Sequence, residues 1–142
     1  MKLKNKKILL GINTAVLGEA TVFLFDGKKI KKEATKETKD KLLFLIDKIF
    51  KKNKKEVGKI GGIAVVSGPG SFTAVRGGVV AANLLGSLLK IPVIGLKQEE
   101  FKSEIEFLRI GYEKMIKGEG EKIVLPTYGK EPNITKPKKW KL

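Results

Sequence analysis

The sequence predicts an α/β domain in which three antiparallel strands lead into a parallel strand-helix-strand unit. Its 142 residues suit a single domain with one hydrophobic core. Asp26-Gly27 separates two strand-like segments and is a hairpin signal, because both residue types tolerate the positive φ of a tight turn. Residues 60–66 and 92–96 are apolar without alternation, which is typical of parallel strands buried on both faces. Together these segments predict a mixed five-stranded sheet with helices.

The first half of the chain is predicted to form a meander followed by an amphipathic helix. Strands are expected over residues 7–12, 20–25 and 28–33. Thr35 is expected to cap a helix that ends near residue 52. The apolar face of this helix follows the i, i+3, i+4, i+7, i+8 spacing and consists of Leu42, Leu45, Ile46, Ile49 and Phe50.

The second half contains the predicted parallel unit and a further helix. Residues 71–89 are expected to form the crossover helix between the two apolar strands, with Ser71 as its N-cap. The next helix is expected over residues 99–117 and should stop at Gly118. A short strand over 123–125 and an extended basic tail over 126–142 complete the predicted order.

The amino-acid composition excludes several classes of chemistry. The chain contains no Cys and no His, so disulfides, thiolate nucleophiles, Cys/His zinc sites and Ser-His-Asp triads are excluded. The N-terminus runs into the first strand without the apolar segment of a signal peptide, and no apolar run reaches the roughly 18 residues that span a bilayer. We therefore expect a cytoplasmic protein with no membrane contact.

The charge is strongly positive and unevenly distributed. The formal net charge is +15, which is compatible with an anionic partner such as RNA, and the excess is concentrated over residues 28–59. All basic residues except Arg76 and Arg109 are lysines, which lack the planar fork that grips phosphate in two places. Two interpretations are open: a solvated lysine-rich face and a patch that contacts phosphate.

A glycine-rich segment follows the strand at 60–66, and we call it the glycine loop: Ser67, Gly68, Pro69, Gly70, Ser71, Phe72 and Thr73. Free amides and the positive end of the following helix can hold a phosphate at such a turn. The loop lacks the Lys-Ser/Thr of a P-loop and the third glycine of a dinucleotide fingerprint. No acidic residue occurs between residues 60 and 96, so a local general base is missing. The sequence therefore predicts no catalytic residue, metal or cofactor here.

The helix after the glycine loop is uncharged from residue 77 to 89 and should be covered on opposite sides. Small residues recur on it at four-residue spacing, and we call this row the small ridge: Ala74, Gly78, Ala82 and Gly86. Glycine inside a helix costs about 1 kcal/mol relative to alanine, so close packing must offset the cost. A contact within the chain's own core and a partner helix from another chain are both open. We favour the partner helix and expect Gly78→Leu or Ala82→Leu to abolish association while the chain stays folded.

The glycine loop, continued by Ala74, Val75 and Arg76, resembles the signature of the TsaB (YeaZ-like) family of bacterial tRNA threonylcarbamoyladenosine biosynthesis proteins. Residues 8–14, 92–96 and 125–128 and the Asp26-Gly27 turn also match. The resemblance implies an actin-like ATPase (ribonuclease-H-like) domain with a non-catalytic role. Asn13 stands where the family usually has Asp, which removes a carboxylate that could hold a nucleotide-bound metal.

The resemblance also implies partners. TsaB-like proteins pair through helices of their N-terminal domain with the catalytic TsaD-like subunit, which modifies tRNA, and a TsaE-like ATPase joins them. Contact with tRNA would then be indirect, and two copies would pair through the same helices when alone. Transferred to this chain, the partner interface comprises Leu42, Leu45, Ile46, Ile49, Ala74, Val75, Gly78, Val79, Ala82, Leu85 and Gly86.

The family's second domain should follow residue 96, so the resemblance implies a shortened form. Residues 1–98 would be the N-terminal domain, 99–125 a reduced remnant of the second domain, and 126–142 the extended tail. Two functions of other classes stay open. One is a small nucleotide-dependent enzyme that uses the glycine loop and a Mg²⁺ held by outlying acids such as Glu19 or Asp26. The other is an RNA-binding module that uses residues 28–59 and the tail.

Overall fold

A computed structural model describes residues 7–16, 18–36, 42–70 and 72–127 of the chain. Their elements follow in the order β1 (Ile8–Asn13), β2 (Ala20–Phe25), β3 (Ile30–Thr35), α1 (Leu42–Lys52), α2 (Lys54–Val57), β4 (Ile60–Gly68), α3 (Phe72–Leu89), β5 (Val93–Lys97), a 3₁₀ turn (Gln98–Glu100) and α4 (Glu104–Lys117). Over these ranges, no helix has the length and apolar character needed to cross a bilayer.

The five strands form one mixed sheet in the order β3-β2-β1-β4-β5. β1 pairs with β2 and β2 with β3 in antiparallel fashion, whereas β4 runs parallel to both β1 and β5. Every residue of β4 is buried, as expected for a central parallel strand whose sequence shows no alternation. The predicted mixed five-stranded sheet is confirmed.

Helices cover both faces of the sheet. On one face α1 packs against β2 and β3, α3 packs against β4, and the two helices contact each other. On the other face α4 lies across β1, β4 and β5. Phe107 and Leu108 of α4 are fully buried there, close to Gly11 and Phe23. The core is therefore divided into two apolar layers by the sheet.

The hairpin between β2 and β3 differs from its prediction. Phe25 pairs with Ile30, so the turn contains four residues instead of two, and β3 begins two residues later than expected. The Asp26 carboxylate accepts hydrogen bonds from the backbone N–H groups of Lys28 and Lys29, at 2.8 and 2.7 Å. An aspartate that closes its own turn in this way lengthens the connection.

Two predicted helix starts were wrong. Thr35 is the last residue of β3, where it pairs with Ala20, and α1 is described only from Leu42 onward. Cross-strand pairing thus takes Thr35 away from a capping role. α4 begins at Glu104, because the Ser103 hydroxyl caps it by accepting from Glu106 N. The predicted stop is confirmed: Gly118 has a left-handed φ of 75° at the end of α4.

The segment after α4 is not the strand predicted at 123–125. Its one described bridge pairs Glu121 with Val93, and residues 123–127 have no regular structure. The expected Ser71 cap and the tail from residue 128 onward lie outside the described residues. The division of the chain into two domains stays a prediction.

Candidate functional site

The glycine loop lies at the carboxyl end of β4, where it meets the connection between β1 and β2. Gly70 faces that connection, and a Cβ atom built on it would lie 2.8 Å from the carbonyl oxygen of Ala15. The carbonyl of Pro69 accepts a hydrogen bond from the side-chain amide of Gln98. The backbone of the loop is therefore held from two sides by the chain itself.

The C-terminal described segment closes the loop from a third side, and we call residues 121–127 the strap. Thr127 N donates to the carbonyl oxygen of Ser67 at 2.6 Å. Gly68 has a φ of +124° and lies directly against the carbonyl group of Thr127, so any side chain there would displace the strap. In the part of the loop that the structure describes, Ser67 and Gly68 are thus buried, and Pro69 and Gly70 are half-buried.

The polar residues next to the loop are also engaged. The Asn13 side-chain oxygen accepts from Ala15 N at 2.9 Å, and the Thr14 hydroxyl donates to the carbonyl of Ala74 at 2.5 Å. Asn13 and Thr14 therefore close the turn after β1 and fasten it to α3.

The two acids considered for Mg²⁺ are far apart. Glu19 precedes β2 at the glycine-loop end of the sheet, whereas Asp26 follows β2 at the opposite end. In the part of the chain that the structure describes, no group of three or more Asp, Glu, His or Cys side chains is placed to hold a metal ion.

Asn83 of α3 anchors the strap. Its side-chain amide donates to the carbonyl of Val124, and its side-chain oxygen accepts from Val124 N, both at 2.9 Å. Val124 is buried and packs over Gly95, where a Cβ atom would lie 2.6 Å from a methyl group of Val124. Glu121 and Val93 exchange two backbone hydrogen bonds of 2.8 Å at the edge of β5. The strap is therefore an integral part of this fold.

We expect Asn83→Ala to loosen the strap. The change leaves both backbone groups of Val124 without their partner, and each lost hydrogen bond costs roughly 1 kcal/mol net. Urea unfolding should show a loss of about 1–2 kcal/mol, and amide hydrogen exchange should accelerate first at residues 121–127. Ser87→Ala, an exposed change on the same helix, should leave both measurements unchanged. Equal behaviour of the two variants would contradict an anchoring role for Asn83.

The small ridge faces the chain's own sheet. Gly78 lies against the side chain of Thr14, and a Cβ atom at Gly86 would lie 2.5 Å from a methyl group of Val93. Ala82 is completely buried. The internal contact is thus the interpretation that the structure supports for the ridge. Gly78, Ala82 and Gly86 are buried in the folded chain, and Ala74 is half-buried.

Most other residues predicted for the interface are buried as well. Little of their surface is exposed, because α1 and α3 direct these apolar side chains toward the sheet. The buried residues are Leu45, Ile46, Ile49, Val75 and Val79. Leu42, Ala74 and Leu85 are half-buried at the border of the core. The two predicted helices do lie side by side, but their exposed faces consist of other residues.

Large apolar side chains cover the outer faces of α1 and α3, and we call this set the apolar stripe: Leu43, Phe44, Val80, Leu84 and Leu88. Between 53% and 67% of the surface of each of these side chains is exposed. On α3 they recur every four residues, like the small ridge, but two positions out of phase. This second row was the signal in the sequence that could have identified the outer face of α3.

The apolar stripe continues into a concave surface. A cavity of about 760 Å³ lies between the end of α3 and the strap, and Leu84, Ile91, Pro92 and Ile123 line its apolar part. Leu84 belongs to both the stripe and the cavity. Exposed apolar side chains beside a cavity are typical of surfaces that bind another molecule.

Comparisons with known proteins agree with this architecture. The family model described as TsaD: tRNA N6-adenosine threonylcarbamoyltransferase matches residues 30–109, which is more than half of the chain. No curated protein matches the sequence.

Two solved structures from Pseudomonas aeruginosa share the fold. One is YeaZ, and the other is described as an uncharacterized protein with similarity to peptidase YeaZ. Each is 21% identical with a TM-score of 0.58 over 64% of this chain, and the chain covers only 44% and 43% of their respective lengths. These matches show that the chain shares the fold of the YeaZ structures, which is the fold that the resemblance implied.

Proposed function

We propose that this chain, which belongs to the TsaD family and has the fold of YeaZ, is a non-catalytic docking subunit. It would act in the modification that forms threonylcarbamoyladenosine in tRNA. Its partner would be a catalytic TsaD-like subunit, which a TsaE-like ATPase would join. The contact with tRNA made by the complex would lie mainly on the catalytic subunit.

The apolar stripe is the observation that carries this proposal. Two adjacent helices leave four large apolar side chains of the stripe, Leu43, Val80, Leu84 and Leu88, largely exposed to water, which is costly unless a partner covers them. Burying a single Leu or Phe side chain stabilises a complex by roughly 1.5–3 kcal/mol. A related subunit with the same fold can offer an equivalent pair of helices, so that four helices would pack together.

A non-catalytic role is supported by the contacts that residues of this chain make with the glycine loop and with Asn13 beside it. In the relatives implied by the resemblance, Asp at the position of Asn13 could hold a nucleotide-bound metal, whereas Asn13 closes the turn before Ala15 here. The strap occupies Ser67 and Gly68 on the other side. These contacts favour docking over the nucleotide-dependent enzyme, which ATP turnover by the purified chain would support instead.

The docking proposal is tested by co-expression with the TsaD-like subunit of the same organism. We expect a stable 1:1 complex in size-exclusion chromatography with light scattering. Leu84→Glu combined with Leu43→Glu should weaken the complex at least 30-fold, because the two apolar contacts together contribute about 2 kcal/mol or more. Both positions are exposed, so circular dichroism should show an intact fold.

Ile116→Glu is the matched control. Ile116 lies on α4, on the opposite face of the sheet, and 56% of its surface is exposed. It should leave the complex unchanged. Absence of a complex with the wild type, or an equal loss in the control, would contradict the proposal.

The same stripe should pair two copies of this chain when the catalytic subunit is absent. Such a dimer would bury the same exposed leucine and valine side chains, so it would compete with the heterodimer. Light scattering of the purified chain should show a mass that rises with concentration, and Leu84→Glu should hold it at the mass of one chain. A concentration-independent single-chain mass in the wild type would contradict self-pairing.

A further inference from the structure

We propose that one end of the sheet, where β1 and β4 begin, binds the phosphate backbone of an RNA directly. We call this end the basic edge: it is formed by the β2–β3 turn, α2 and the residue before β1, and it carries Lys7, Lys28, Lys29, Lys54 and Lys59. It lies at the end of the sheet opposite the glycine loop and apart from the apolar stripe.

Strand direction brings these lysines to one edge. β1 and β4 are parallel, so both begin there, and Ile8 N donates to the carbonyl of Lys59 at 3.1 Å. β2 runs antiparallel to β1, so its turn toward β3 lies at the same end. A small cavity of about 170 Å³, lined by Ile8, Asp26, Lys29 and Glu56 among others, joins the three segments.

The carboxylates at this edge already have partners within the chain. Asp26 accepts the two backbone N–H groups of its own turn, and these hydrogen bonds lower its pKa. Glu56 pairs with Lys31 at 3.3 Å, and this contact lowers the pKa of Glu56. The five lysines of the basic edge are all exposed, and none of them lies within ion-pair distance of a carboxylate that the structure describes; Asp26 and Glu56 attract Lys29 and Lys59 from further away.

The neighbouring lysines of α1 do not add to this surface. Lys48 and Lys52 both contact Glu33, at 3.5 and 2.9 Å, and Lys51 pairs with Asp47 at 3.2 Å. These ion pairs compensate part of the charge along α1, so its lysines add less positive charge to the surface than those of the basic edge do.

At the glycine-loop end, three glutamates balance the exposed lysines Lys36, Lys97 and Lys102. Glu19 precedes β2 there, and Glu99 and Glu100 follow β5. Positive charge is therefore concentrated at one end of the strands, which orients a polyanion toward the basic edge.

An RNA backbone suits this surface better than a lipid surface does. Binding to a phosphate backbone needs positive charges and gains from the release of counterions. Insertion into a membrane interface needs apolar side chains beside the charges. Ile30, at 41% exposure, is the one large exposed apolar side chain described in the β2–β3 connection. Lysines act here as point charges, which fits a contact that positions RNA without reading its sequence.

The test uses the purified chain and a fluorescein-labelled, unmodified tRNA transcript, with anisotropy measured between 50 and 200 mM KCl. We expect log K to fall linearly with log[KCl]. The triple variant K28Q/K29Q/K59Q should reduce the slope by about 2 and weaken binding about tenfold near 100 mM salt. The change removes only side-chain charge, and the backbone N–H groups that Asp26 binds are retained.

The variant K36Q/K97Q/K102Q is the matched control. It removes the same charge from exposed lysines nearer the other end of the sheet and should change affinity less than twofold. Equal losses in both triples would show that only the overall charge matters and would overturn the proposal. Absence of RNA binding, or equally salt-sensitive binding to vesicles with 30% phosphatidylserine, would overturn it too. None of these outcomes depends on the docking experiment, so the two proposals can fail separately.

Discussion

Gly78→Leu is expected to lower the free energy of unfolding by about 3 kcal/mol, which is a large share of the stability of a small domain. Gly78 is buried where α3 crosses the end of β1, in contact with the Thr14 side chain. A leucine there must push that side chain aside, and the Thr14 hydroxyl is hydrogen-bonded to the carbonyl of Ala74. Both the packing of α3 and the turn after β1 would be lost.

Gly77→Leu is the control, and its effect should have the opposite sign. Gly77 is the neighbouring residue on the same helix, but a Cβ atom there meets nothing within 4 Å. Because leucine favours helix more than glycine does, the free energy of unfolding should rise by roughly 0.5–1 kcal/mol. Urea unfolding followed by circular dichroism compares the two. A stable Gly78→Leu variant that only loses a partner would restore the small ridge as an intermolecular surface.

The orientation of α3 shows what the sequence could and could not predict. The helix itself, its small ridge and its need for close packing all followed from the residues. Which side faced outward did not, because a helix without charges from residue 77 to 89 has no polar face to mark the solvent side. Small residues allow close approach to a sheet as well as to a helix, and here Thr14 and Val93 are the neighbours.

Local signals located strands and helices but not the contacts that join distant segments. Three of the four pairings, β1–β2, β2–β3 and β4–β5, followed from apolar runs and a turn signal, whereas the parallel pairing of β1 with β4 did not. The strap did not, because Asn83 binds the backbone of a residue 41 positions away, and neither partner has a distinctive pattern. The β2–β3 turn was placed correctly, but its length depended on two hydrogen bonds to Asp26. Hydrogen bonds from side chains to the backbone are thus the part of this fold that the periodicity of apolar residues cannot predict.

Phe107→Ala is expected to destabilise the whole chain by about 3–5 kcal/mol. The Phe107 ring is 1% exposed and lies 6.3 Å from the ring of Phe23 and 5.1 Å from the ring of Phe101, measured between centroids. Gly11 allows this close approach of α4 to β1, because a Cβ atom there would lie 3.3 Å from the Phe107 ring. Removal of the ring leaves a cavity that β1 and β2 cannot fill.

Ile116→Ala, an exposed change on the same helix, should cost less than about 0.5 kcal/mol. The pair also tests how the chain is divided. If residues 99–125 behaved as a separate remnant of a second domain, Phe107→Ala would leave the unfolding of the sheet unchanged and only α4 would melt early. If α4 is part of the first core, the near-ultraviolet dichroism signal should be lost in the same transition as α4. The amides of β4 should lose their protection from exchange in that transition too. We expect the second result, because α4 covers β1, β4 and β5 together.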